Sequence, residues 1–103
     1  MSAQIDIPAE AVAVFCRQWK ITELALFGSV LRPDFGPDSD VDVLVVFDPA
    51  ARHTLFDMVR MQDELEEILG RKVDLVSRRG VERSRNYVRK QAILASAETV
   101  YAA

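Results

Sequence analysis

PDSDVDVLVVF, residues 37–47, sets two carboxylates at the mouth of an apolar run. Asp40 and Asp42 stand two residues apart, and Val43 to Phe47 follow without a polar side chain. Such a run reads as a strand over 41–47 that is covered on both faces and central to its sheet. Side chains two apart on a strand point the same way, with roughly 7 Å between their Cα positions. Asp40 and Asp42 are therefore expected on one face where the strand begins.

Upstream, ELALF at 23–27 is a short strand that ends at Gly28-Ser29, and RPDFGPDS at 32–39 is a loop punctuated by proline and glycine. Before them, residues 8–19 form a helix with Pro8 in its first turn. Val12, Phe15, Cys16 and Trp19 make one apolar stripe on it, which reads Cys16 and Trp19 as core residues. Downstream lies the clearest helix, 54–69. Thr54 and Asp57 make a capping box, Leu55, Met58, Val59, Leu65 and Ile68 form its packed side, and Gly70 caps its end. KVDLVS at 72–77 is a third strand, 82–95 a further helix, and 98–101 a short edge strand.

The order predicts an α/β fold, a small mixed sheet of three to four strands layered by helices, in a single domain over 1–103. The first two strands form an antiparallel pair, and the link through helix 54–69 places the third parallel to the second.

Composition fits that size. The chain has 103 residues, 50% apolar and 28% charged, with a net charge of −3, enough for one core and ordinary for a globular protein. So mild an acidity argues against a DNA binder driven by bulk charge. Cys16 is the single cysteine, so no disulfide forms within the chain, which fits a reducing cytoplasm. The first twenty residues lack the pattern of a signal peptide, and no apolar stretch reaches the length of a membrane span. A cytoplasmic location is expected.

Asp74 repeats the anomaly of the opening stretch, one acid inside the apolar VDLV. With strand three beside strand two, Asp40, Asp42 and Asp74 converge. Two like charges about 4 Å apart repel by about 4 kcal/mol at an effective dielectric of 20. Either a carboxyl keeps its proton or a cation sits among them. A hard divalent ion, Mg2+ first, suits oxygen ligands and keeps open positions for substrate phosphates. Asp40 or Asp42 alone reads first as a solvated strand end, and Asp74 alone as an edge-strand acid facing water; the set of three is the signal. Gly28-Ser29 adds backbone N–H groups and a hydroxyl that can cradle an anion. The chain contains neither GxxxxGK[ST] nor GxGxxG, so those two phosphate-binding devices do not apply.

GSVLRPDFGPDSDVDVLVVF followed by KVDLV resembles the nucleotidyltransferase signature of the polymerase-β superfamily: Gly-Ser, Asp-x-Asp, then a third Asp on a later strand. With HTLFDMVRMQDELEEILGRKVDLV, it is similar to the minimal nucleotidyltransferases, the MntA-like antitoxins that pair with HEPN toxins. The resemblance covers most of residues 20–101. It implies that Gly28 and Ser29 hold the terminal phosphates of ATP, and that Asp40 and Asp42 bind two Mg2+ ions. Asp74 would bind the catalytic ion and help deprotonate the acceptor hydroxyl. It also implies transfer of AMP, with release of pyrophosphate, to a tyrosine of a HEPN ribonuclease toxin in a hetero-oligomer. The family pattern GSxxRG is broken here, where Pro33 follows Arg32, so the loop after Ser29 is expected to differ.

Two alternatives stay open: an antitoxin that blocks its toxin by binding alone, and nucleotide transfer to a small-molecule hydroxyl. His53 reads as a solvated loop residue. Arg78, Arg79, Arg83, Arg85, Arg89 and Lys90 crowd residues 78–90 against Glu82 alone. That segment reads as a solvated helix face, a docking surface for an acidic partner or a contact for triphosphate. Direct nucleic-acid binding is not expected, because only Tyr87 interleaves with those charges.

Overall fold

The computed structural model describes residues 7–33 and 35–103. Residues 1–6, part of the stretch read for a signal peptide, and Asp34, in the expected loop, lie outside the described residues. The elements are α1 (Ala9–Trp19), β1 (Ile21–Phe27), a 3-10 turn (Gly28–Leu31), β2 (Val41–Phe47), α2 (Leu55–Leu69), β3 (Val73–Ser77), α3 (Arg78–Glu82), α4 (Tyr87–Ser96) and β4 (Glu98–Ala102). The sheet order is β3-β2-β1-β4. β1 runs antiparallel to β2 and to β4, whereas β2 and β3 are parallel. The mixed sheet and its pairings are those expected, with β2 internal and β4 at the edge.

Alternation along β2 divides the core. Val41, Val43 and Val45 pack with Leu24 and Leu26 against Val12, Phe15 and Cys16 of α1 and Met61 and Leu65 of α2. On the other face Ala25, Phe27 and Leu44 meet Val81 of α3 and Ile93 of α4, with Val76 beside them. Asp42 is in phase with Leu44, and Asp74 with Val76. Both acids therefore belong to the face that α3 and α4 partly cover.

The capping box of α2 is present in both directions. Asp57 N–H donates to Thr54 Oγ1 at 3.2 Å, and Thr54 N–H donates to Asp57 Oδ2 at 2.9 Å. Gly70 ends the helix with φ 68°. The apolar side of α2 is narrower than expected. Met61 and Leu65 are buried, with Met58 and Ile68 packed beside them, but Leu55 and Val59 are 84% and 59% exposed. Both lie more than a quarter turn from the centre of the buried stripe. The expected helix over 82–95 begins later, as α4 at Tyr87, and Glu82 instead ends a separate short helix, α3. Ser84 Oγ accepts from Asn86 N–H at 3.2 Å, and Asn86 Oδ1 accepts from Arg89 N–H at 3.0 Å. These short polar side chains compete for backbone partners and restart the helix.

His53 is a packed residue, not a solvated one. Its Nε2 lies 2.8 Å from the Trp19 carbonyl, and its ring centroid 4.7 Å from that of Phe47. It pins the end of α1 to the start of α2. Trp19 is packed against the core as expected, and its Nε1–H donates to Glu64 at 2.8 Å. Cys16 has no exposure at all, and burial pushes its thiol up to about 11. It should resist Ellman's reagent in the folded protein and react at once in denaturant. Fast labelling under native conditions would show that α1 leaves the sheet readily. Among the described residues no helix is long and apolar enough to cross a membrane.

Candidate active site

Register builds the site. Phe27, the last residue of β1, pairs with Asp42 of β2, and Asp42 pairs with Asp74 of β3. Paired residues on adjacent strands point to the same face, about 4.8 Å apart along the hydrogen-bonding direction. The start of the Gly28 turn, Asp42 and Asp74 thus form one row across three strands. Asp40 stands one residue before β2; it and Asp74 are exposed, and Asp42 is half-buried.

These carboxylates feel one another. Burial raises the Asp42 pKa above its ordinary 3.8, the charges of Asp74 and Asp40 raise it further, and Arg89 and Arg32 oppose the shift. The acids are close enough to repel but do not close into a cage. Among the described residues no set of three acid, histidine or cysteine side chains is gathered at metal-ligand spacing. Hard oxygen donors near one end of a strand, one of them with its pKa raised by burial and by its neighbours, suit a divalent cation by charge and by chemistry.

Gly28 is shaped around Asp42. Its φ is 76°, and a Cβ added there would strike Asp42 Oδ2 and lie 3.3 Å from Cγ. Only a residue without a side chain lets the turn and the carboxylate share this space. Ser29 follows, half-buried, in the 3-10 turn, which closes with Arg32 N–H donating to the Ser29 carbonyl at 2.9 Å. Arg32 itself is extended, φ −111° and ψ 149°, as a residue before proline must be. The Arg-Pro departure therefore falls after the turn is complete.

In the sequence the basic segment 78–90 is undivided; the fold selects two of its residues. Arg89 and Lys90 of α4 line a cavity of about 290 Å³ with Val76 and Ser77 of β3 and Ser84. Arg89 also acts on Asp42, although no acid among the described residues lines the cavity itself. The selecting signal is the break before α4, which no helical period reveals.

Residues 9–97 match the model of the nucleotidyltransferase domain. The chain belongs to that nucleotidyltransferase family. One relative, a Methanocaldococcus jannaschii protein assigned as a protein adenylyltransferase, is 34% identical over 71% of each chain. The protein adenylyltransferase MntA of Thermococcus cleftensis is 39% identical over 54% of each chain. The fold recurs in a solved protein described as a minimal nucleotidyltransferase, 38% identical with a TM-score of 0.66, over 87% of this chain and 86% of that one. A toxin–antitoxin structure with AMP-PNP aligns at TM-score 0.71 and 21% identity, over 94% of this chain and 75% of that one. An MNT antitoxin in complex with a tri-AMPylated Shewanella oneidensis HEPN toxin aligns at 0.62 and 22%, over 92% and 70%. At those last identities the likeness is one of fold. Family membership makes this chain a nucleotidyltransferase, as the Gly-Ser and three-acid pattern implied.

Proposed function

We propose that this nucleotidyltransferase is a cytoplasmic antitoxin and a Mg2+-dependent protein adenylyltransferase. Its single domain would transfer AMP from ATP to a tyrosine hydroxyl of a HEPN toxin. The observation that carries the reading is the row formed by the Gly28 turn, Asp42 and Asp74 in strand register. Relatives named as protein adenylyltransferases and the AMPylated toxin in a fold neighbour support the acceptor class.

Asp40, Asp42 and Asp74 would hold Mg2+, which supplies charge neutralisation at the α-phosphate and at the attacking and leaving oxygens. The first backbone N–H groups of a helical turn have no partner within it. Those of the Gly28–Leu31 turn, with the Ser29 hydroxyl, would take the terminal phosphates. Arg89 and Lys90 would draw the polyanion toward the acids. Asp74 would accept the proton of the acceptor hydroxyl as its oxygen bonds to the α-phosphorus and the bond to pyrophosphate breaks. Most of the rate would come from positioning and charge.

Incubation of the chain with α-labelled ATP, Mg2+ and its cognate HEPN protein should place label on a toxin tyrosine and silence the ribonuclease. Silencing without label would favour the binding-only antitoxin. Leu55, Phe56 and Val59, exposed together on α2, are the feature that favours that second reading.

A further inference from the structure

The two acid-bearing segments reach the site from different parts of the chain. Asp74 rides on β3, a regular strand. Asp40 stands at the end of an irregular loop, immediately before the ladder of β2, so its position depends on what holds that loop. Arg71 reaches across to it. It stands three residues before Asp74, and its Nη2 donates to the carbonyls of Gly36 and of Ser39, the latter at 3.0 Å. Its guanidinium also lies 4.3 Å above the centre of the Phe35 ring. The loop is tied within itself as well: Gly36 N–H donates to Ser39 Oγ at 3.2 Å, and Ser39 N–H to the Gly36 carbonyl at 3.1 Å. Beyond these ties, Val41 N–H donates to the Lys72 carbonyl at 2.8 Å.

We propose that Arg71 is a positioning residue that clamps the Asp40 loop to the approach of β3 and so sets the spacing of Asp40 to Asp74. The inference rests on the reading of these acids as cation ligands. A planar guanidinium is suited to such a clamp, because it donates to two carbonyls from one nitrogen while its face covers a ring. A lysine ammonium is a compact point charge on a flexible stem and cannot reproduce the stacked fork. Outer groups that orient ligands typically change metal affinity by about 10–100-fold when removed.

The test follows Mn2+ binding to the full chain, by loss of the free-ion electron paramagnetic resonance signal, in wild type, Arg71→Ala and Arg71→Lys. Thermal melts in chelator report the fold of each. The expected result is Mn2+ affinity weaker by about tenfold or more in Arg71→Ala, with little recovery in Arg71→Lys, in proteins that remain folded. Should Arg71→Ala fail to fold, Arg71→Lys and Phe35→Leu carry the comparison, each weakening the clamp and leaving the backbone ties. Unchanged Mn2+ affinity in folded variants overturns the clamp and leaves the acid site intact. Absence of Mn2+ binding by the wild type overturns the cation reading, and the clamp's role with it.

Discussion

Asp42→Asn is expected to abolish nucleotide transfer and to leave a chain that melts higher than the wild type in the absence of divalent cations. Loss of transfer follows from the position of Asp42 in the middle of the row, between the Gly28 turn and Asp74. Removing one anionic oxygen set from a cation site forfeits several kcal/mol of transition-state stabilisation, a fall of about 10³-fold. The gain in stability follows from linkage. The native pKa of Asp42 lies above its ordinary 3.8 because burial and two neighbouring carboxylates disfavour its charge. Between 3.8 and the raised native value the folded state binds more protons than the unfolded one. Stability contributed by this group is thus present below 3.8 and is lost as pH rises through the native value. At neutral pH the ionised side chain opposes folding, and asparagine relieves it. Melting in chelator at neutral pH should favour the variant, and the difference should shrink in acid below the ordinary carboxylate range, where both side chains are neutral. Adding Mg2+ should stabilise the wild type and not Asp42→Asn. A variant that melts well below the wild type in chelator would show that Asp42 makes native contacts that outweigh its repulsion. Full transfer activity would remove it from the site.

The same sequence showed some of these features and hid others for definite reasons. The capping box of α2 was visible because its partners, Thr54 and Asp57, are three residues apart. The Asp40–Asp42 pair was visible because polarity breaks sharply against Val43–Phe47. The pairing of Asp42 with Asp74 could be inferred because helix 54–69 is long enough to return the chain for a parallel strand. Hidden were contacts between residues distant in sequence that leave no periodic trace. His53 looked like a loop residue, yet it packs between Trp19 and Phe47. Arg71 carries no sequence signal of its own, yet it spans to Gly36 and Ser39. Leu55 and Val59 matched an apolar spacing, but the phase of the α2 stripe is set by the sheet beneath it. The 82–95 stretch reads as continuous helix, but the side chains of Ser84 and Asn86 take backbone partners and α4 starts only at Tyr87. Arg89 gains its place near Asp42 from that later start.

Gly28→Ala should cost activity far out of proportion to its effect on backbone conformation, and Gly70→Ala is the control that shows it. Both glycines have similar left-handed torsions, φ 76° and 68°. An alanine at either position costs about 1–3 kcal/mol for backbone conformation alone. The surroundings differ. A Cβ at Gly70 meets nothing within 4 Å, whereas one at Gly28 collides with the Asp42 carboxylate. Gly70→Ala should therefore lower the melting temperature and keep transfer intact in the folded fraction. Gly28→Ala should lower it further and reduce transfer by at least about 10²-fold, because a displacement near 1 Å is enough for such a loss. A double-mutant comparison separates the two effects. In an Asp42→Ala background the carboxylate is gone, so Gly28→Ala should cost about what Gly70→Ala costs. Equal stability losses for Gly28→Ala in both backgrounds would show that the turn and the carboxylate do not compete for space. The row of Gly28, Asp42 and Asp74 would then be a coincidence of register and not a shaped site.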